Sequence, residues 1–321
     1  DKTISWVGDY YYLKGTDLIG LRMLPLETGY TSTTVNWAQM ENEGVEVALT
    51  TRNIHTKDFT WFTNLNFGYN DNTVLRETVA ENAIRPSREG YSVGAIFAYK
   101  TAGLDDEGYP LFLTQDGRKV TATEFFKLNN AGASTLRAEE QRNLYSYIGS
   151  TEPKVSGGFM STFKYKRVTL GINCIFNFGM YVQTTPTYDP TNYDRGLNSN
   201  RDILNRWTPD HTNTTLPKLM TENDGRTGEY LRYKEQNLFR ELDIWVKKPN
   251  YFRFESNSLG YELPEKWLKP VGIKSASVAL EGRNLWVIAS NYHNYLDPET
   301  MGNPYAAPIP KSFIFGLNVN F

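Results

Sequence analysis

One cysteine and three histidines stand among 321 residues, and that scarcity removes two kinds of chemistry. Cys174 has no second thiol with which to close an internal disulfide, and the scattered histidines supply no metal-ligand cluster. Long apolar runs are also missing. No stretch approaches the roughly 18 consecutive apolar residues of a membrane-crossing helix, which excludes a helical membrane protein. An excess of basic charge is absent: a formal charge of −2 and a pI of about 6.1 give no broad positive field for phosphates, so nucleic-acid binding is unsupported. The run Asp1 to Trp6 lacks a basic segment followed by an apolar core, so no signal peptide is visible. Two expectations remain: a leader cleaved directly before Asp1, or a chain that is a piece of a longer protein. The second is preferred.

Aromatic residues are what the chain has in quantity. They make up 14%, with 21 tyrosines, against 22% charged residues and a mean hydropathy of −0.52. A polar average carrying many amphipathic rings suits a transmembrane β-barrel, whose strands alternate lipid-facing and lumen-facing side chains. The C-terminus shows the alternation most cleanly: Phe313, Phe315, Leu317, Val319 and Phe321 fall on one face, Gly316, Asn318 and Asn320 on the other, with Ile314 the exception. A strand ending on an aromatic residue resembles the assembly signal of bacterial outer-membrane proteins.

The same period recurs from Phe59 to Tyr69 with Phe62 as its lapse, through Val45, Val47 and Leu49, through Phe159, Phe163 and Tyr165, and from Val168 to Phe178 with Ile175 out of step. Tyr251–Leu263 and Ser275–Trp286 form a further pair; its first member changes face near Ser256, which predicts a bulge. Trp6 to Leu13 makes an eighth strand of weaker pattern. Short links follow Arg52, Tyr165 and Leu263, whereas long links cover about residues 14 to 42, 71 to 153, 181 to 249 and 287 to 311. Strict short and long alternation is the rhythm of barrels with tight periplasmic turns and extended outer loops, and it ends the last strand in the periplasm. Within the second long link, Gln115-Asp116-Gly117-Arg118 predicts a hairpin, and a helix is expected around Thr135 to Tyr147.

Particular residues then resemble a known family. Asn36-Trp37-Ala38-Gln39-Met40-Glu41-Asn42-Glu43-Gly44-Val45-Glu46 is similar to the Asn-x-Gly-x-Met-x-Asn-x-Gly-x-Glu segment of SusC/RagA-like TonB-dependent transporters, with Ala38 in place of the usual glycine. Collinear with it are Glu89 to Gly94, Tyr99 to Asp105, Gly149 to Pro153 with Gly157-Gly158-Phe159, Arg206 to Asp210, Phe252 to Phe254, Leu259 to Pro264, Gly282 to Leu285, Leu296 to Glu299 and Pro308 to Phe321. The resemblance spans nearly the whole chain. It implies an all-β antiparallel transmembrane barrel of about 22 strands with a plugged lumen, this chain supplying about the last eight. The plug domain and TonB box are absent from residues 1–321. The family imports oligosaccharides or peptides across the bacterial outer membrane, with TonB and a SusD-like surface lipoprotein as partners and no cofactor.

No catalytic constellation emerges, and the chain is read as a non-enzyme. Asp105-Asp106-Glu107 could hold a hard cation, but a solvated turn is preferred; Asp297 and Glu299 flank Pro298 and are read as a turn too. Ring-bearing loop positions Tyr188, Tyr193, Trp207, Tyr292, His293 and Tyr295 are the candidates for stacking on substrate, the alternative being that they pack the loops together. Trp61, Trp267 and Trp286 are expected in an interfacial aromatic belt, and Glu46, Lys164, Glu281 and Arg283 toward a wet lumen. Cys174 is read as a small hydrophobe and the sequon at Asn213 as incidental. Two other architectures stay open: a soluble all-β glycan-binding or adhesion module, and a complete eight-stranded barrel.

Overall fold

The computed structural model describes residues 3–24, 26–192, 198–289, 296–303 and 305–321. Eight strands make one meander: β1 (Ile4–Met23), β2 (Ser32–His55), β3 (Phe59–Arg76), β4 (Val155–Tyr165), β5 (Val168–Phe178), β6 (Tyr251–Glu262), β7 (Ser275–Ala289) and β8 (Ser312–Asn320). Each pairs antiparallel with the next in chain order. β1 and β8 are the two ends of the sheet and do not pair with each other, which overturns the closed eight-stranded barrel.

Register turns the period-2 pattern of single strands into continuous rows. Residues directly opposite across a ladder share a face. One row reads Trp6, Leu49, Leu65, Phe159, Cys174, Phe254, Trp286, crossing from β1 to β7 without a polar side chain. Nearer the short turns, Ile54, Trp61, Phe163, Leu170, Leu259, Leu280 and Phe315 make a second. The reverse face carries Thr60, Lys164, Thr169, Gly260, Ala279 and Gly316 in one row. Phe62 and Ile314, two of the lapses, meet in the neighbouring row with Thr162, Gly171, Ser258 and Glu281. No second layer covers the apolar side among the described residues: Leu280 is 52% exposed and Phe315 72%. A water-soluble sandwich buries such a face, so the soluble-module reading loses its basis.

The apolar band has a bilayer's height. On β3 it runs from Phe59 to Tyr69; ten steps of about 3.4 Å at a tilt near 45° rise about 24 Å, close to the apolar girdle of outer-membrane barrels. One step further the outward row is Tyr12, Glu43 and Asp71, and the band stops.

The predicted bulge lies between Phe254 and Ser256, opposite Asn173 and Cys174. It lets Phe254 and Leu259, which have opposite parity, both face outward. The tight turn at Lys166 is present with φ 52. One predicted link is corrected: residues 14 to 42 are mostly strand, because β1 continues to Met23 and β2 begins at Ser32. Shifts of register near Leu18 hid the alternation there, and Asp17 takes φ 56. The expected helix around Thr135 to Tyr147 shrinks to Ala138–Arg142, while the helix Thr227–Gln236 was not foreseen. Its apolar markers Tyr230 and Tyr233 are rings rather than aliphatics, and its mean character is polar.

Candidate functional site in the loop lobe and sheet mouth

The described residues of the two longest links, 77–154 and 179–250, fold into one lobe beyond the ends of the strands opposite the short turns. Its core is aromatic. Tyr99 stacks on Tyr145 at 4.1 Å, Phe112 on Phe125 at 4.9 Å, and Phe126 meets both Tyr99 and Phe112 edge-on. Tyr188, Tyr230, Phe239, Leu242 and Trp245 close this core from the second link. Backbone bonds join the halves: Tyr99 N–H donates to the Glu241 carbonyl at 2.9 Å and Asp243 N–H to that of Tyr99 at 3.0 Å. The predicted hairpin is part of it, with Phe112 opposite Val120 and Gly117 at φ 83.

Two ion-pair clusters lie inside the lobe. Arg226 donates to Asp105 at 2.7 Å, lies 2.9 Å from Glu107 and covers the Tyr109 ring at 4.4 Å. Asp105 also accepts the backbone N–H groups of Glu107 and Tyr109, so the acidic turn is held by a guanidinium and its own backbone. Among the described residues no group of His, Cys, Asp or Glu is arranged to hold a metal ion. Asp224 accepts from Tyr109 Oη at 2.9 Å and pairs with Lys218 at 3.1 Å. Partial burial raises its carboxyl pKa, but hydrogen bonds from Thr221, Lys218 and Tyr109 outweigh that and hold it at about 2.

At the mouth of the sheet, β6 places Arg253 on the polar face, where only 3% of its side chain is exposed. It donates to Asp297 and, at 2.5 Å, to Glu299, both on the loop after β7. The two carboxylates read as a turn are therefore also a clamp that fastens this loop to the wall. Sequence reasoning missed the clamp because its cation lies 44 residues upstream of Asp297. Lower on the same face Lys164 pairs with Glu262 at 2.8 Å and Arg283 with Glu281 at 2.6 Å, while Glu46 is exposed.

The ring-bearing candidates separate. Tyr188 is buried, its hydroxyl donating to the Pro217 carbonyl at 2.7 Å, and it packs into the core of the lobe. Trp207 is half-buried against Gly108, whose missing Cβ makes room for the indole. Tyr193, Tyr292, His293 and Tyr295 lie outside the described residues. Phe313, Phe315 and Leu317 are exposed on the apolar face of β8, which also carries Val319 and leads into Phe321. Trp61 stacks on Phe163 at 5.3 Å, Trp286 meets Phe254 at 5.9 Å, and Trp267 is exposed beside the last short turn.

No family model matches the chain. It is 26% identical over 354 residues to TonB-dependent receptor P3 of Formosa agariphila, covering 100% of this chain and 33% of that protein. TonB-dependent receptor SusC of Bacteroides thetaiotaomicron is 22% identical over 338 residues, with 98% of this chain and 30% of the relative covered. Among solved structures, the RagAB peptide importer in its open-open state matches 99% of this chain and 33% of its own, with a TM-score of 0.74 at 23% identity. The RagAB peptide transporter gives a TM-score of 0.73 at 24% identity. This chain thus spans about a third of the length of the relatives it matches. In sequence along its whole length the chain is similar to TonB-dependent receptors, SusC among them, and in fold to the barrel of the RagAB importer.

Proposed function

We propose that residues 1–321 form the last eight strands and outer loops of a bacterial outer-membrane importer of oligosaccharides or peptides. In this reading the sheet is part of the wall of a barrel of about 22 strands, and the plug that fills the lumen belongs to another part of the protein. The lobe helps receive the nutrient beneath a SusD-like lipoprotein, and TonB supplies the energy through the region bearing the plug. Trp207, Tyr193, Tyr292, His293 and Tyr295 are the proposed substrate-binding rings, while Tyr188 packs the core of the lobe. The terminal Phe313, Phe315, Leu317, Val319 and Phe321 serve as assembly signal. The chain contributes wall and binding surface, not catalysis.

The observation that carries the reading is the pair of seven-residue apolar rows, uncovered on one face and backed on the other by rows of mostly polar or small residues. Labelling of the intact protein in liposomes tests it. After Cys174→Ala, a cysteine introduced by Phe315→Cys is expected to react with a lipid-phase reagent and resist an aqueous maleimide, and one introduced by Glu281→Cys to do the reverse. Equal aqueous reactivity at both positions would refute the membrane wall.

A further inference from the structure

Where β4 leaves the sheet, the upper edge of β3 is interrupted. Asn70 N–H donates to the Lys154 carbonyl at 3.0 Å, and the next bond on that edge is Val74 N–H to the Tyr91 carbonyl at 2.8 Å. Between them lies a cavity of about 190 Å³. Strand alternation aims the backbone N–H and C=O of Asn72 into this gap.

The notch has an aromatic side and a polar side. Tyr91 and Tyr147 pack with centroids 4.6 Å apart, are 40% and 38% exposed, and are backed by Phe97 at 5.3 Å from Tyr91. Neither phenol hydroxyl has a hydrogen-bond partner among the described residues, and the same holds for the Glu152 carboxylate, the Thr73 hydroxyl and the Asn70 amide nitrogen. Asp71 and Lys154 pair with each other at 3.2 Å. Two carboxylates against one ammonium repel an anion, and the lining offers both donors and acceptors. A pyranose ring matches that surface: its C–H face packs on an aromatic ring, and each hydroxyl both donates and accepts. The volume is below the roughly 300–1,000 Å³ of pockets for drug-sized molecules, which limits the occupant to one ring.

We propose that this notch binds a single neutral pyranose ring, stacked against the Tyr91–Tyr147 pair and hydrogen-bonded by Glu152, Asn70 and Thr73. Its level, one outward step above Tyr69 and so at the headgroups, rests on the membrane reading of the sheet; ring binding itself does not. The ring comes from a glycolipid headgroup of the outer leaflet or from a free saccharide.

Calorimetry on the intact protein in a sugar-free detergent tests this, with three arms: neutral trisaccharides of glucose, galactose and mannose; micelles of a neutral monoglycosyl lipid; and triglycine. Binding of a trisaccharide or of the glycosyl lipid is expected, and which one binds identifies the source. Tyr147→Ala should weaken it roughly tenfold, and Glu152→Gln severalfold. Glu152→Gln is isosteric at an unpartnered carboxylate, so it reports on binding even if Tyr147→Ala misfolds. Absence of binding in both sugar arms, binding untouched by Glu152→Gln, or competition by triglycine would overturn the proposal. A protein that binds the ring yet fails to label from the lipid phase would refute the membrane wall and leave the site standing.

Discussion

Arg253 fastens the loop after β7 to the mouth of the sheet. Its guanidinium is buried between Asp297 and Glu299, and removing one partner of such a group strands the other in a poorly hydrated site at a cost of about 3–5 kcal/mol. Arg253→Ala should therefore free residues 296–303 from the wall, seen as new proteolytic cleavage in that loop while the strands stay protected. Asp224 gives a pH-dependent counterpart in the lobe. Its folded carboxyl, at about 2, lies below the usual 3.8, so its contribution is fully present above pH 4 and is lost as pH falls through 2. That contribution is about 2 kcal/mol. Asp224→Asn is expected to remove this part of the acid dependence, measured as the change in lobe melting between pH 5 and pH 2; an unchanged slope would place the effect elsewhere.

At the scale of the strand, which face a residue occupies decides what it tolerates. Phe315→Glu puts a charge among Leu280, Leu259 and Leu170, toward hydrocarbon, at a cost of several kcal/mol or less depending on depth. Glu281→Leu changes the wet face and leaves only an exposed Arg283 unpaired. Membrane yield of the intact protein should fall sharply for the first and stay near wild type for the second. β2 supplies a steric test. Gly44 lies beneath the Tyr11 ring, whose hydroxyl reaches across to Asn70 at 2.9 Å. A Cβ there would enter the ring and approach the Tyr69 carbonyl at 2.5 Å. Gly44→Val is expected to cost about 1–3 kcal/mol, read as earlier thermal loss of β-structure. Tyr11→Ala should restore only part, because the Tyr69 carbonyl remains. This explains in local terms why the Asn-Glu-Gly run carries glycine.

The whole sheet is a strip of wall with two open edges, and β1 shows it: Ile4, Trp6, Tyr10 and Leu13 are all exposed. Unpaired backbone in hydrocarbon is costly, so residues 1–321 expressed alone should require denaturant or detergent for extraction and should not insert, whereas the intact protein should. Quantitative recovery of the isolated segment in aqueous buffer as a monomer would contradict this. Strand number, the Ser256 bulge and the hairpin at Gly117 were legible because period 2 and turn chemistry are local properties of the chain. The extension of β1 to Met23 was not, since a shifted register near Leu18 breaks the period that reveals a strand. Nor was the burial of Tyr188: a tyrosine in a loop reads the same whether it meets solvent or a core. The amino-acid order by itself thus determined that the chain alternates greasy and wet residues along eight strands, because alternation needs only the geometry of an extended backbone. Tertiary structure alone decided which residues become neighbours across 44 or more positions, as Arg253 and Asp297 do, because such pairings depend on register and on how two loops close over one aromatic core.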